Sequence, residues 1–228
     1  MKGGEPQLVL ALEHGPSLDA ADFVAAPSNR AALAWIERYP NWPAPLLALH
    51  GPAGSGKTHL LHLWRARAGA LLLDPAALGV DALPRLLGAA RAVALDLAGD
   101  EPVLDQRALL HLYNVMGERG GHVMITSRAA PARWRIELPD LRSRLAAAPS
   151  VAIEAPDDEL LAAVLGKLFA DRQLRPDPDV IAYLVPRIER SLAAAGRIVA
   201  ALDRRALALK RDVTTALARE LLDEMTSP

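Results

Sequence analysis

The densest chemistry in this sequence lies in eight consecutive residues, Gly51-Pro52-Ala53-Gly54-Ser55-Gly56-Lys57-Thr58. They fit the phosphate-loop pattern G-x-x-x-x-G-K-[ST] at every fixed position. In such a loop backbone N–H groups converge on phosphate oxygens, helped by the positive end of the helix that follows. Lys57 would reach the terminal phosphates, and the Thr58 hydroxyl would hold Mg²⁺. Glycines are required because the chain must curl round an anion with no side chain in the way. The motif follows the apolar run Leu46-Leu47-Ala48-Leu49-His50 and leads into Leu60-Leu61-His62-Leu63-Trp64. Strand, loop, helix is the context it needs, so the residues imply a bound nucleoside phosphate.

Further residues fall where such a site would recruit them. Asp96 ends an apolar strand roughly 40 residues on, the place of a carboxylate that orders the Mg²⁺ water shell opposite Thr58. The next residues are Leu97-Ala98 rather than a second acid. Leucine cannot orient an attacking water, and Asp100 and Glu101 lie a loop away, so tight binding with poor intrinsic hydrolysis is expected. Thr126, in Thr126-Ser127-Arg128, suits either a sensor of the γ-phosphate or ordinary turn chemistry. Arg142 and Arg144, before the fifth strand, read most plainly as solvated helix-end charges. Either could instead reach a neighbouring subunit's nucleotide and stabilise transition-state charge. The six histidines show no metal-site spacing; His59 and His62, three apart on one helix, lack a third ligand. No G-x-S-x-G, CxxC or HExxH pattern is present.

The elements that must position these groups are legible as a run of short apolar segments. After 46–50 come 70–74, 91–96, 122–126 and 151–153, with helical patterns near 81–88, 103–118 and 139–146 between them. Nearly continuous apolar strands separated by helices predict a parallel sheet covered on both faces. Ser28-Asn29-Arg30 is a candidate N-cap for a helix over 31–38. From Asp157 onward every pattern is helical: 157–171, 177–189, 191–210 and 212–225. The expected organisation is an α/β domain over 23–154 and a small all-helical domain over 155–228, preceded by an extended tail over 1–22.

Bulk properties narrow the class. The 228 residues are 51% hydrophobic, mostly Ala and Leu, which suits helices around a substantial core. A net charge of −1 provides no global basic field to draw nucleic acid. The absence of cysteine excludes disulfides and thiolate metal sites and suits a reducing cytosol. No apolar run is long enough for a membrane span or a signal segment, so a soluble, cytoplasmic protein without membrane attachment is expected. Within the tail, Gln7-Leu8-Val9-Leu10-Ala11-Leu12 has alternating apolar positions, which fits an edge strand or an arm packed on the body.

Taken in order, these features match a family. They are Phe23 to Asn29-Arg30, the loop 51–58 followed by His59-Leu60-Leu61, Asp96, Leu112-Tyr113-Asn114, Ile125-Thr126-Ser127, and Leu138-Pro139-Asp140-Leu141 to Ser143-Arg144-Leu145. Together, from Gln7 to about residue 225, they resemble the AAA+ module of the bacterial replication initiator DnaA. They are more similar still to its paralogues of the Hda family, regulatory inactivators of initiation. Two features favour that paralogue: the expected lack of a helix-turn-helix domain after the lid, and the likeness of Gln7-Leu8-Val9-Leu10-Ala11-Leu12 to a sliding-clamp-binding peptide. The Thr214-Thr215-Ala216-Leu217 segment resembles that DNA-binding domain's signature only superficially and reads as lid.

The resemblance implies a five-stranded parallel-sheet P-loop AAA+ domain followed by a helical lid. It implies ADP or ATP with Mg²⁺, held by Gly51, Pro52, Ala53, Gly54, Ser55, Gly56, Lys57, Thr58, His59, Asp96, Thr126 and Arg197. Gln7, Leu8, Leu10 and Leu12 would engage the DNA polymerase III sliding clamp, placing a Gln amide and alternate apolar side chains in its pockets. Arg144 matches the finger that acts in trans on the ATP of DnaA, switching initiation off. DNA would be reached only through clamp and initiator, and homo-oligomers are possible. There are two departures: the lid arginine that reads the nucleotide falls at Ala193, flanked by Arg190 and Arg197, and Ala11 stands where the clamp peptide commonly has proline. Two other readings make different demands. A self-sufficient AAA+ ATPase such as a helicase loader needs strong intrinsic turnover, which Leu97 disfavours. A small-molecule kinase needs a lid inserted within the sheet domain rather than after it.

Overall fold

Apolar residues alternate between two faces of one sheet in the computed structural model, which describes residues 23–97 and 105–226. The strands are β1 (Leu46–His50), β2 (Leu71–Leu73), β3 (Ala92–Leu97), β4 (His122–Ser127) and β5 (Ser150–Ala152). All pairs are parallel, in the order β2-β3-β4-β1-β5. Leu46, Ala48, Val93, Leu95, Leu97, Val123 and Ile125 face one side, under α3 (Leu83–Leu87), α4 (Gln106–Glu118) and α5 (Pro139–Ala147). Leu47, Leu49, Ala92, Ala94 and Met124 face the other, under α1 (Arg30–Glu37) and α2 (Lys57–Ala68). Each buried leucine contributes about 2 kcal/mol, which holds the strands in one register.

Register decides what meets at the strand ends. Asp96 on β3 lies beside Thr126 on β4, and Thr126 lies beside Leu49 on β1, two residues before the phosphate loop. β1 sits between β4 and β5, so its connection to β2 crosses two strands and opens a crevice at the carboxyl ends. Ligands of parallel α/β sheets bind at such a point.

After β5 come α6 (Asp158–Asp171), α7 (Pro178–Leu184), α8 (Leu192–Leu209) and α9 (Thr215–Thr226), which bury their own core of Leu161, Leu165, Phe169, Val199, Leu202 and Leu217. Asp157 caps α6 through the Leu160 N–H at 2.8 Å, and Ser191 caps α8 through that of Ala194. Thr214 accepts from the Leu217 N–H, so the Thr214–Leu217 segment is an ordinary helix start.

The helix expected over 177–189 is shorter, because Pro186 has no N–H to continue it and α7 ends at Leu184. The last helix starts at its Thr214 cap rather than at 212. Asn29 precedes α1 but makes no side-chain cap; its amide bonds the Ala26 N–H and the Val24 carbonyl instead. Gln7, Leu8, Leu10 and Leu12, together with Asp100 and Glu101, lie outside the described residues.

Candidate functional site

The phosphate loop begins where β1 ends. Gly51 donates to the Ser127 carbonyl at 3.2 Å, tying the loop to the end of β4. A Cβ on Gly51 would stand 2.1 Å from the Ile153 carbonyl oxygen, so glycine is required by contact with the chain after β5. Gly54 and Gly56 adopt φ of +70° and +94°, left-handed conformations natural to glycine.

Lys57 is buried, and its ammonium donates to the carbonyls of Gly51 at 2.9 Å and Pro52 at 2.6 Å and to Ser55 Oγ at 3.5 Å. The cation is thus folded back across the mouth of its own loop. Burial lowers its pKa; Asp96 acts in the opposite sense and Arg128 adds to the lowering. His50, at the end of β1, is likewise held below the ordinary histidine range by burial and then by the charges of Arg133 and Lys57.

Asp96 joins the ends of β3 and β4 to the start of α2. One carboxylate oxygen accepts from Thr58 Oγ1 at 2.8 Å, and the other from Thr126 Oγ1 at 2.6 Å. Thr126 is fully buried, so its hydroxyl is fixed on Asp96, and the strand-end threonine predicted as a sensor sits one bond from the predicted Mg²⁺ carboxylate. The donor set is one carboxylate and one hydroxyl beside a phosphate loop. That suits a hard cation sharing ligands with phosphates and water. No cluster of three or more His, Asp or Glu that could cage a metal alone occurs among the described residues.

The remaining predicted residues are dispersed. His59 packs edge-on against Phe23, with ring centroids 5.5 Å apart. Arg197 pairs with Glu189 at 3.3 Å and Arg190 with Asp158 at 2.9 Å, so both candidate substitutes for the lid arginine engage lid carboxylates. Arg142 and Arg144 differ. Arg142 donates through Nε and Nη2 to the Ile136 carbonyl, which holds the segment leading into α5. Gln106 fixes the same segment by donating to the Arg135 carbonyl and accepting from the N–H groups of Glu137 and Leu138. Arg144 is exposed, its guanidinium 5.3 Å from the Tyr113 ring centroid. Among the described residues no carboxylate pairs with it.

One contact escaped the sequence reading. The Leu192 N–H, at the start of α8, donates to the Gly54 carbonyl at 2.8 Å, and a Cβ on Gly54 would fall 1.9 Å from Ser191 Oγ. The lid therefore touches the loop by main chain, one residue before the alanine where an arginine was sought. The helical pattern over 191–210 placed a helix start there but carried no sign of the contact.

No family model matches the chain. It is 28% identical over 234 residues to the chromosomal replication initiator protein DnaA of Rhizobium johnstonii, covering 89% of this chain and 47% of that protein. To DnaA of Thermomicrobium roseum it is 30% identical over 245 residues, covering 93% and 51%. The chain thus spans about half the length of the curated relatives it matches. Among solved structures, domain III of Thermotoga maritima DnaA superposes with a TM-score of 0.75 at 20% identity, covering 94% of this chain and 99% of that one. AMPPCP-bound DnaA from Aquifex aeolicus gives 0.66 at 20% identity, covering 82% and 65%. No helix among the described residues is long and apolar enough to cross a membrane. The fold is that of an AAA+ domain, and DnaA initiators are homologues of this chain at modest identity.

Proposed function

We propose that this chain binds ADP or ATP with Mg²⁺ at the phosphate loop and acts as an Hda-like regulator of a DnaA initiator. The observation that carries the binding reading is Asp96, which bonds Thr58 and Thr126 at once beside the folded-back Lys57. A bound nucleotide would take the loop N–H groups and Lys57, with Mg²⁺ shared between its phosphates, Thr58 and the water shell ordered by Asp96. The AMPPCP carried by a similar DnaA supports an adenine nucleotide.

Acting on a partner is supported by two features. Leu97, the residue after Asp96, is buried in the core beneath the helices, so the chain supplies no base at that position. Arg144 stands exposed on Tyr113, while Arg142 is committed to a carbonyl, so Arg144 is the arginine able to swing to a partner's nucleotide. In this reading residues 155–228 are the lid. The segment Gln7 to Leu12 tethers the chain to the DNA-loaded sliding clamp, which raises effective concentration and leaves the chemistry unchanged.

The test is hydrolysis of ATP pre-bound to the cognate initiator, with clamp loaded on DNA. Wild type should stimulate it, Arg144→Ala should abolish the stimulation, and Gln7→Ala should lower it to the level seen without clamp. No stimulation by wild type, with initiator and clamp active in controls, refutes the regulator. Strong turnover by this chain alone would favour the helicase-loader reading.

A further inference from the structure

We infer that Ser191 and Leu192 are positioning residues for the phosphate loop, aiming the Ser55 N–H at a bound phosphate through their grip on Gly54. The inference rests on the nucleotide-binding reading above and extends it to the lid.

One peptide group links the lid to the loop. The bond between Gly54 and Ser55 is trans, so the Gly54 carbonyl and the Ser55 N–H point in opposite directions across a rigid plane. Leu192 donates to that carbonyl at 2.8 Å. Fixing the carbonyl toward the lid fixes the N–H toward the loop interior, where it now makes a long bond of 3.4 Å to the Pro52 carbonyl. That carbonyl also receives Lys57, so one anion entering the loop would recruit both donors together. Ser191 seals the arrangement. It is buried, its hydroxyl caps α8, and it occupies the space a side chain at Gly54 would need. Gly54 is left-handed with φ +70°, and a glycine has many competing backbone wells, so the grip removes freedom that the loop would otherwise have.

The same geometry explains how the chain manages with Ala193 where an arginine is expected. An arginine reaches phosphate oxygens directly, whereas here α8 reaches the loop's own backbone. The coupling runs both ways: ordering of the loop by phosphate stabilises the lid contact, and loss of that contact frees the Gly54 peptide to rotate.

A single substitution breaks the bond, by deleting the donor and placing the proline Cδ against the Gly54 carbonyl. Leu192 is the first residue of α8, where proline is favoured, and Ser191 before it has φ −149° and ψ +130°, the extended conformation a following proline demands. Leu192→Pro therefore removes the N–H while the helix start is kept, and Leu192→Ala controls for the lost side chain. In titrations of the full chain with fluorescent ADP and Mg²⁺, Leu192→Pro should bind about three- to tenfold more weakly than Leu192→Ala, the worth of one hydrogen bond. Equal affinities would overturn the proposal. Hydrogen exchange on wild type gives a second reading that needs no variant. The first N–H of a helix has no intrahelical partner, so slow exchange at Leu192 with ADP bound is the expected mark of the contact. Exchange there as fast as in an unstructured peptide would overturn it. A wild type that binds no ADP would sink the nucleotide reading and this inference with it; binding by wild type with equal affinities of the two variants would sink this inference alone.

Discussion

Removing the carboxylate of Asp96 should destabilise the fold through Thr126 more than through Thr58. The Thr126 hydroxyl is fully buried and donates to Asp96 at 2.6 Å, a short bond to an ionised acceptor. Such a bond is worth about 1.5–3 kcal/mol, and a buried donor left without an acceptor costs about 1–3 kcal/mol. Asp96→Ala should therefore cost about 2–4 kcal/mol, the Thr58 bond at the exposed mouth adding about 0.5 kcal/mol. In wild type, Thr126→Val should cost about 1.5–3 kcal/mol; in the Asp96→Ala background the hydroxyl is already orphaned, and the same change should cost nearly nothing. The coupling is then about 1.5–3 kcal/mol, read from urea midpoints of the four proteins, or as a melting shift of about 2–4 °C per kcal/mol for a chain this size. Asp96→Asn should fall between, because an amide oxygen still accepts from Thr126 and an amide N–H can donate to Thr58. Additive costs, with coupling below about 0.5 kcal/mol, would refute the claim that Asp96 and Thr126 act as one unit.

Two further predictions concern the loop itself. Because burial holds the Lys57 pKa below its unfolded value, the unfolded chain binds more protons between the two values, and stability should rise with pH across that window. Nucleotide affinity should run the opposite way, falling as pH climbs through the folded value, below the ordinary lysine range. In Asp96→Asn, measured with ADP and without Mg²⁺, the fall should come at lower pH, since Asp96 raises the Lys57 pKa; an unmoved profile would show that Lys57 does not govern it. Separately, Gly51→Ala would drive a Cβ to 2.1 Å from the Ile153 carbonyl, which is backbone and cannot yield cheaply. It should cost about 2 kcal/mol or more in urea unfolding, and a neutral result would mean the loop and the chain after β5 are not in contact.

The sequence exposed whatever is written in local pattern. The strands could be found because residues buried on both faces read as apolar runs, and the phosphate loop because its glycines answer to contact and φ at fixed spacing. Asp96 and Thr126 were each found as strand-end residues, but their shared bond depends on register between β3 and β4, which no local pattern encodes. Arg142 and Arg144 looked equivalent in local pattern, and only the family resemblance pointed to Arg144. The fold separates them physically, by placing the Ile136 carbonyl under Arg142 and the Tyr113 ring under Arg144. The contact of Leu192 with Gly54 left no trace in side-chain identity, because a backbone N–H and a backbone carbonyl make it.

That last case bears on how the site divides its labour. A side chain on the residue after Asp96 would have to leave the sheet to orient water, and Leu97 points into the core with α4 and α5 instead. A lid arginine would have to cross to the nucleotide, and α8 offers its backbone to the loop. In the proposed nucleotide-binding reading, both replacements would remove a group acting on the γ-phosphate, while the loop's own contacts with Asp96 and Leu192 remain. If the Gly54 contact does what its geometry suggests, ADP should hold the lid about as well as ATP. Equal protection of the Leu192 amide in the two complexes would bear this out, and protection by ATP alone would refute it.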